Sequence, residues 1–227
     1  ALVAVFREAR RVLADDGTLW LNIGDSYAAS TRGSSGKGDK QRSNAGTLLE
    51  DRRWRVPDGL KPKDLLGIPW RLAFALQDDG WFLRSDIIWA KPNPMPESVT
   101  DRPTRAHEYV FLLSKRARYF YDADAIREAA SANSHGGSRP NAGAKRAALQ
   151  DVSASTLGQT ASALGVAGRN ARDVWTITPE PFAEAHFATM PPELARRCIL
   201  AGSRRGDVVL DPFGGAGTTA LAALGLG

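Results

Sequence analysis

The sequence predicts an α/β fold, in which a sheet carries helices on both faces. Short apolar runs bounded by turn residues have the length and composition of buried strands, at 18–23, 81–89, 107–114 and 207–211. Amphipathic stretches with helical spacing alternate with them, at 2–13, 63–77 and 192–200. Strands and helices that alternate along a chain favour a sheet covered by helices.

The first predicted element is a surface helix. Leu2, Phe6 and Leu13 share one side of it, and the intervening residues include four charged ones. The turn Ala-Asp-Asp-Gly at 14–17 ends the helix, and the apolar run 18–23 then reads as a buried strand. Because a helix is already under way at residue 1 and no Met precedes it, we expect the natural start to lie upstream.

A second helix and two strands are predicted next. Residues 63–77 place apolar side chains on one side, and Asp-Asp-Gly then ends the helix. Residues 81–89 alternate polar and apolar side chains, and 107–114 is strongly β-prone. The proline-rich stretch 91–96 between these strands excludes regular structure.

Two segments lack a helical or strand period. Residues 28–47 are rich in Gly, Ser and Lys, which is typical either of a loop that covers an active site or of a disordered insertion. Residues 129–172 are rich in Ala, Ser, Gly and Asn, with scattered basic residues. We interpret the second segment as an inserted, flexible part of the chain.

Composition places the chain among globular proteins. It has 227 residues, of which 43% are hydrophobic and 24% charged, with a net charge of +5 and an isoelectric point near 9.6. No apolar run is long enough for a membrane span. A single cysteine excludes an internal disulfide, so we expect a cytoplasmic protein by default. The single cysteine, Cys198, is interpreted as a small core residue, and the three scattered histidines predict no metal site.

The stretch 207–227 combines a predicted strand, a glycine turn and a predicted helix. It is the most informative part of the sequence about function. Gly215 and Gly217 let the backbone turn sharply and approach a ligand closely. The helix that follows presents free N–H groups to an anionic group, and Thr218 and Thr219 add hydroxyls there. The spacing fits neither the dinucleotide fingerprint nor the P-loop.

The complete sequence of the turn indicates a protein family more specifically than its glycines alone do. Asp-Pro-Phe-Gly-Gly-Ala-Gly-Thr-Thr at 211–219 resembles the cofactor motif of the DNA amino-methyltransferases that modify exocyclic nitrogens of adenine or cytosine. Four other segments resemble the same family in its permuted order, with the cofactor motif late in the chain: 17–25, 89–94, 107–112 and 186–194. The resemblance covers most of the chain apart from 28–60 and 129–172.

The resemblance implies a Rossmann-like class I methyltransferase sheet and S-adenosyl-L-methionine as the cofactor. The implied substrate is double-stranded DNA, within a restriction-modification system. Residues 1–124 would form the catalytic side, 125–175 an inserted target-recognition segment, and 176–227 the cofactor-binding part. The resemblance assigns the cofactor to Asp211, Pro212, Phe213, Gly215, Gly217, Thr218 and Thr219 and to Phe187, Thr189 and Pro191.

Five basic or polar residues are implied to contact DNA, namely Lys91, Asn93, Arg139, Lys145 and Arg146. Lys91 and Asn93 belong to a Trp-x-Lys-x-Asn segment that would lie near the target base or a phosphate. A solvated proline-rich turn is the alternative interpretation of the same segment. In the position where the family commonly has Lys before Pro191, this chain has Met190, so that cationic contact is not carried over.

The family's catalytic motif is Asp, Asn or Ser followed by Pro-Pro and an aromatic residue. The Pro-Pro of this sequence, at 191–192, is flanked by Met190 and Glu193, so no catalytic residue is assigned. We therefore expect an incomplete sheet, and the 227 residues alone to fold poorly and to be inactive. A second copy in a homodimer, or a complementing segment, would have to supply what is missing.

Two other functions stay open on the sequence alone. One is a DNA-binding module that has lost catalysis and keeps the basic insertion. The other is a methyltransferase that acts on RNA or on a small molecule, because related glycine turns serve all of these substrates. The choice between adenine and cytosine is left open as well.

Overall fold

The computed structural model describes residues 1–28, 59–129, 168–180 and 190–227. The chain divides into two compact units, Ala1–Arg118 and Tyr119–Gly227. The first unit contains α1 (Leu2–Val12), β1 (Thr18–Ile23), α2 (Ile68–Asp78), β2 (Phe82–Ala90) and β3 (His107–Ser114). The second unit contains β4 (Val174–Thr176), α3 (Pro192–Gly202) and α4 (Thr218–Leu226).

The first unit is built on antiparallel strands with β3 in the middle. β1 pairs with one edge of β3, with Trp20 opposite Leu112, and β2 pairs with the other edge, with Ile87 opposite Val110. The predicted runs 18–23 and 107–114 match β1 and β3, and 81–89 is displaced by one residue from β2. Because β3 is paired on both edges, it is the most deeply buried of the three, in keeping with its unbroken run of apolar residues.

The core of this unit forms where α1 and α2 pack on the sheet. Its buried members are Phe6, Leu21, Leu72, Ala73, Leu76, Trp81, Phe111 and Leu113. Trp70 of α2 packs edge-on against two aromatic rings of β3, with ring centroids 5.8 Å from Tyr109 and 5.2 Å from Phe111. Aromatic pairs in this geometry add about 0.5–1.5 kcal/mol to the burial of their area.

Helix α2 begins at Ile68, so the predicted helical start at Lys63 is wrong. Lys63 and Gly67 both have left-handed backbones, with φ of 67° at each, and a helix cannot run through them. The carboxylate of Asp25 instead accepts hydrogen bonds from the backbone N–H groups of Gly67 at 3.1 Å and Ile68 at 3.0 Å. The cap therefore comes from the end of β1 and not from the helix's own sequence.

A short ladder holds this cap in place. Ala28 N–H donates to the Asp64 carbonyl at 2.8 Å, and Lys63 N–H donates to the Ala28 carbonyl at 2.7 Å. Leu66 N–H donates to the Ser26 carbonyl at 2.9 Å. The chain on either side of 29–58 is thereby tied together, and β1 and α2 are fixed to one another.

Backbone hydrogen bonds also join two segments that are distant in sequence in the second unit. The backbones of Glu128 and Arg169 exchange two hydrogen bonds, of 3.0 and 2.9 Å. The Glu128 carboxylate also accepts from the Arg172 backbone and from the guanidinium groups of Arg172 and Arg169. These donors, the Arg172 backbone N–H first, lower the pKa of Glu128. The predicted insertion, most of which lies outside the described residues, is thus tied at its base.

Residues 207–211 form no strand, which corrects the prediction of a buried one. Val208 is 95% exposed and Leu210 is 62% exposed, and no described residue pairs with them in a sheet. The composition of the run favours a strand, but a strand is stable only when a neighbouring strand takes up its N–H and C=O groups. The apolar sequence here is therefore left without a partner among the described residues.

Helix α3 extends to Gly202, two residues beyond the predicted end at 200. Cys198 lies on this helix, and burial raises the pKa of its thiol to about 12. At neutral pH the group is a thiol and not a thiolate, so it is a poor nucleophile, in keeping with a packing role. Within the described ranges, no helix has the length and apolar character needed to cross a membrane.

The cap on α2 gives a stability prediction. Asp25→Ala removes both acceptors from the two N–H groups and is expected to lower the free energy of unfolding by about 1–2 kcal/mol. Asp25→Asn keeps one acceptor oxygen and is expected to lose about half as much. Urea unfolding of the intact gene product measures both changes, and equal midpoints for wild type and Asp25→Ala would contradict the role of the cap.

Candidate functional site

The turn between residues 211 and 219 is shaped by two glycines in the left-handed region. Gly215 has φ of 49° and Gly217 has φ of 77°. Gly217 is the N-cap of α4, and its N–H donates to the Gly214 carbonyl at 2.7 Å. An L side chain is strained at such φ values, so these glycines are required by the backbone path.

The Asp211 carboxylate closes the turn. Its Oδ1 accepts the backbone N–H of Phe213 at 2.9 Å, and its Oδ2 accepts the hydroxyl of Thr219 at 2.7 Å. One side chain thus joins the beginning of the turn to the first turn of α4. Hydrogen bonds to a charged acceptor are stronger than neutral ones, so the carboxylate fixes where the helix starts.

The beginning of α4 is available to an anion. No side chain caps the helix, and its first N–H groups have no acceptor within the helix itself. The aligned peptide dipoles place partial positive charge at the same end. A cavity of about 170 Å³ lies beside it, lined by Val209, Asp211, Gly214, Gly217, Thr219, Ala220 and Ala223.

The structure brings three of the predicted cofactor residues to this cavity, namely Asp211, Gly217 and Thr219. Pro212, Phe213 and Gly215 belong to the turn but do not line the cavity. Thr218 is buried, with 7% of its surface exposed, and it does not line the cavity.

Pro191 is the buried N-cap of α3 and does not line the cavity either. Phe187 and Thr189 lie outside the described residues. Ala220 and Ala223 line the cavity although sequence reasoning missed them. Their three-residue spacing on a helix, with small side chains facing the turn, was the available signal.

A second cavity, of about 320 Å³, lies in the first unit. It is lined by Gly24, Asp25, Lys91, Pro94, Met95, Glu97, Arg105, His107 and Glu108. Lys91 is among the residues predicted to contact DNA, whereas Asn93 is exposed and is not part of the lining. The cavity therefore combines residues from the end of β1, from the proline-rich stretch and from the start of β3.

Lys91 is held by its neighbours in this cavity. Its Nζ forms an ion pair with Glu108 and lies 4.4 Å from the centroid of the Trp89 ring. Glu108 also accepts a hydrogen bond from the side-chain amide of Asn22 at 3.1 Å. The other predicted DNA contacts, Arg139, Lys145 and Arg146, lie outside the described residues.

Two glycines in the same region form a matched pair for a stability test. Gly217→Ala forces an L residue to φ of 77°, although a Cβ there meets no atom within 4 Å. We expect it to destabilise the turn by about 1–2 kcal/mol. Gly225→Ala also meets open space, but in a helix, so we expect a gain of up to about 1 kcal/mol.

Hydrogen exchange of the α4 amides measures both substitutions. The account requires lower protection for Gly217→Ala and equal or higher protection for Gly225→Ala. Equal effects of the two substitutions would show that the left-handed turn does not set the stability of α4.

Comparison with known proteins places the chain among DNA methylases. The model of the N6/N4 DNA methylase family matches residues 1–227. The Type II methyltransferase M.Cfr9I of Citrobacter freundii is 50% identical over 220 residues, which are 97% of this chain and 61% of that protein. M.SmaI of Serratia marcescens is also 50% identical over 220 residues, with 97% and 63% covered. The chain thus spans less than two thirds of the length of these relatives.

Solved structures show the same fold at low identity. The PvuII DNA methyltransferase, described as cytosine-N4-specific, aligns over 99% of this chain and 62% of its own, with a TM-score of 0.58 and 17% identity. The Thermus thermophilus protein TTHA0409, described as a candidate DNA modification methylase and complexed with S-adenosyl-L-methionine, aligns over 99% of this chain and 66% of its own, with a TM-score of 0.54 and 21% identity. The predicted α/β, Rossmann-like fold is confirmed, and the chain belongs to the N6/N4 DNA methylase family.

Proposed function

We propose that the protein is a DNA methyltransferase that transfers a methyl group from S-adenosyl-L-methionine to an exocyclic amino group of adenine or cytosine. The observation that carries this proposal is the turn at 211–219, which opens a cavity directly onto the uncapped start of α4. Membership of the DNA methylase family supports the reaction, and the relatives named above support a Type II, restriction-modification setting. The cytoplasm, where such DNA lies, is the proposed location.

The carboxylate of the cofactor's methionine part fits the start of α4. The free N–H groups of the first helical turn and the positive end of the helix dipole both favour an anion there. Glycine at 217 leaves the backbone open to close approach, because no Cβ shields it. We assign to the same site the remaining turn residues of the resemblance, together with Phe187, Thr189 and Pro191.

The protein's part in the reaction is positional. The bound cofactor supplies an electrophilic methyl group on a positively charged sulfur. The turn holds the cofactor at a fixed place, so that a nucleobase amine can be brought into line with the methyl carbon. Asp211 contributes by keeping Phe213 and Thr219 in place and not by exchanging a proton.

The second cavity and the basic residues are proposed as the DNA side. Lys91, which is fixed by Glu108, and the exposed Asn93 would meet the target strand. Arg139, Lys145 and Arg146 would contact phosphates, which position a duplex without specifying its sequence. The proposed division into 1–124, 125–175 and 176–227 follows these roles.

We also propose that the 227 residues are inactive by themselves. Their sequence contains no Pro-Pro followed by an aromatic residue, and the apolar side chains of Val208 and Leu210 are exposed beside the cofactor turn. A partner segment, from the same gene product or from a second copy, would complete both the sheet and the catalytic motif.

The proposed reaction is tested with the intact gene product. Radiolabelled S-adenosyl-L-methionine is incubated with DNA from an unmodified host, and the digested nucleosides are identified by mass spectrometry. We expect N4-methylcytosine or N6-methyladenine, and none from the isolated 227-residue chain. Sequencing the modified DNA gives the recognition site, and unmodified DNA with the intact gene product would refute the proposal.

Asp211→Ala tests the site itself. It removes two hydrogen bonds to a charged acceptor, worth about 1.5–3 kcal/mol, so the Kd for the cofactor is expected to rise about 10- to 100-fold. Asp207→Ala is the matched control, because this carboxylate interacts with Arg204 and does not line the cavity. Equal Kd values for the two variants would show that Asp211 does not shape the cofactor site.

A further inference from the structure

Met95 is a large apolar side chain that is exposed to solvent. Its side chain is 85% exposed, at the rim of the second cavity, between Pro94 and Pro96. The loop that carries it joins β2 to β3 and spans residues 91–106. A single exposed apolar side chain is common on protein surfaces. Met95, however, stands at a cavity that is also lined by Lys91, Glu97 and Arg105, and this setting suggests contact with another molecule.

Prolines and several contacts constrain the loop around Met95. Prolines on both sides fix their own φ angles and restrict the residues before them. Lys91 N–H donates to the Ala106 carbonyl at 2.8 Å, which joins the two ends of the loop. Arg102 forms an ion pair with Glu97 inside the loop.

Two contacts anchor the loop to the ladder beside β1. The Arg102 guanidinium lies 4.0 Å from the centroid of the Tyr27 ring, and Lys63 forms a 2.6 Å ion pair with Asp101. Lys63 makes this contact from a left-handed backbone, which a non-glycine residue adopts only where its surroundings hold it. The loop that carries Met95 is therefore joined both to its own ends and to the ladder beside β1.

We propose that Met95 is a wedge that enters the base stack of the DNA duplex beside the target nucleotide. The inference rests on the proposed function, because it needs DNA as the partner. An enzyme that works on a nucleobase must take the base out of the helix, which leaves a gap in the stack. Methionine and proline are among the apolar side chains that proteins insert between base steps.

The charges around Met95 fit a duplex. Lys63 and Arg102 are paired with carboxylates, which ties the loop to its neighbours but leaves these two side chains little charge for DNA. Arg105 lines the same cavity and forms no ion pair within the described part of the chain. It is positioned to meet a backbone phosphate while Met95 meets the bases.

The test compares two duplexes that contain the recognition sequence, with the intact gene product as the protein. One duplex is fully paired, and in the other the target base faces a mismatch, so that part of the unstacking is already done. Met95→Ala is expected to weaken binding to the paired duplex about 10-fold and to the mismatched duplex less than about 2-fold. Met95→Leu keeps an apolar wedge and is expected to bind both like the wild type.

Val12→Ala is the matched control, because it shortens an apolar side chain that is 56% exposed on α1. It is expected to change neither affinity. In a parallel assay, 2-aminopurine at the target position should brighten on binding wild type and Met95→Leu, and less with Met95→Ala.

Any other result of the binding experiment overturns the proposal that Met95 is a wedge. Equal losses on both duplexes would make Met95 an ordinary surface contact, and no loss on either would exclude it from the DNA interface. A change of oligomeric state with unchanged DNA binding would assign Met95 to a protein interface. Failure of the wild type to bind either duplex would instead refute the proposed function, before any substitution is considered.

Discussion

The position of the Asp211 carboxylate is the constraint on which the candidate site depends. It accepts one hydrogen bond from the backbone of Phe213 and one from the hydroxyl of Thr219, and so joins the two ends of the glycine turn. With that closure, α4 starts at a fixed point, and its free N–H groups face a cavity. Without it, the left-handed glycines would allow many paths, and the anion site would not be formed in advance of binding.

The apolar residues around this turn are unusually exposed. Val208, Leu210 and Phe213 are 95%, 62% and 57% exposed, and Leu221 and Leu224 on α4 are 59% and 80% exposed. Burial of such side chains is worth about 1.5–3 kcal/mol each, so a surface of this kind is costly in water. These residues flank the glycine turn, and they therefore provide a surface on which the proposed partner segment would pack.

The sequence predicted an element correctly where the residues that determine it lie close together in the chain. β1 and β3 were predicted at their observed bounds because their apolar runs carry the whole signal. The start of α2 was predicted wrongly because its cap, Asp25, lies 42 residues before Gly67. At 207–211 the composition favoured a strand, but a strand also needs a neighbour, which no local pattern reveals.

The residues of the candidate site were likewise predicted only where a local motif marks them. The turn motif pointed to Asp211, Gly217 and Thr219, which the structure brings to one cavity. Periodicity gave no sign that Glu108 would fix Lys91, because that contact joins the start of β3 to the end of β2. Contacts between elements distant in sequence appear only when the register of the strands is known.

Calorimetric titration of the intact gene product with S-adenosyl-L-methionine tests the central claim most directly. The account predicts saturable binding of one cofactor per chain, in the absence of DNA, because the turn is formed before the substrate arrives. A folded protein that shows no heat and no thermal shift with the cofactor would contradict it.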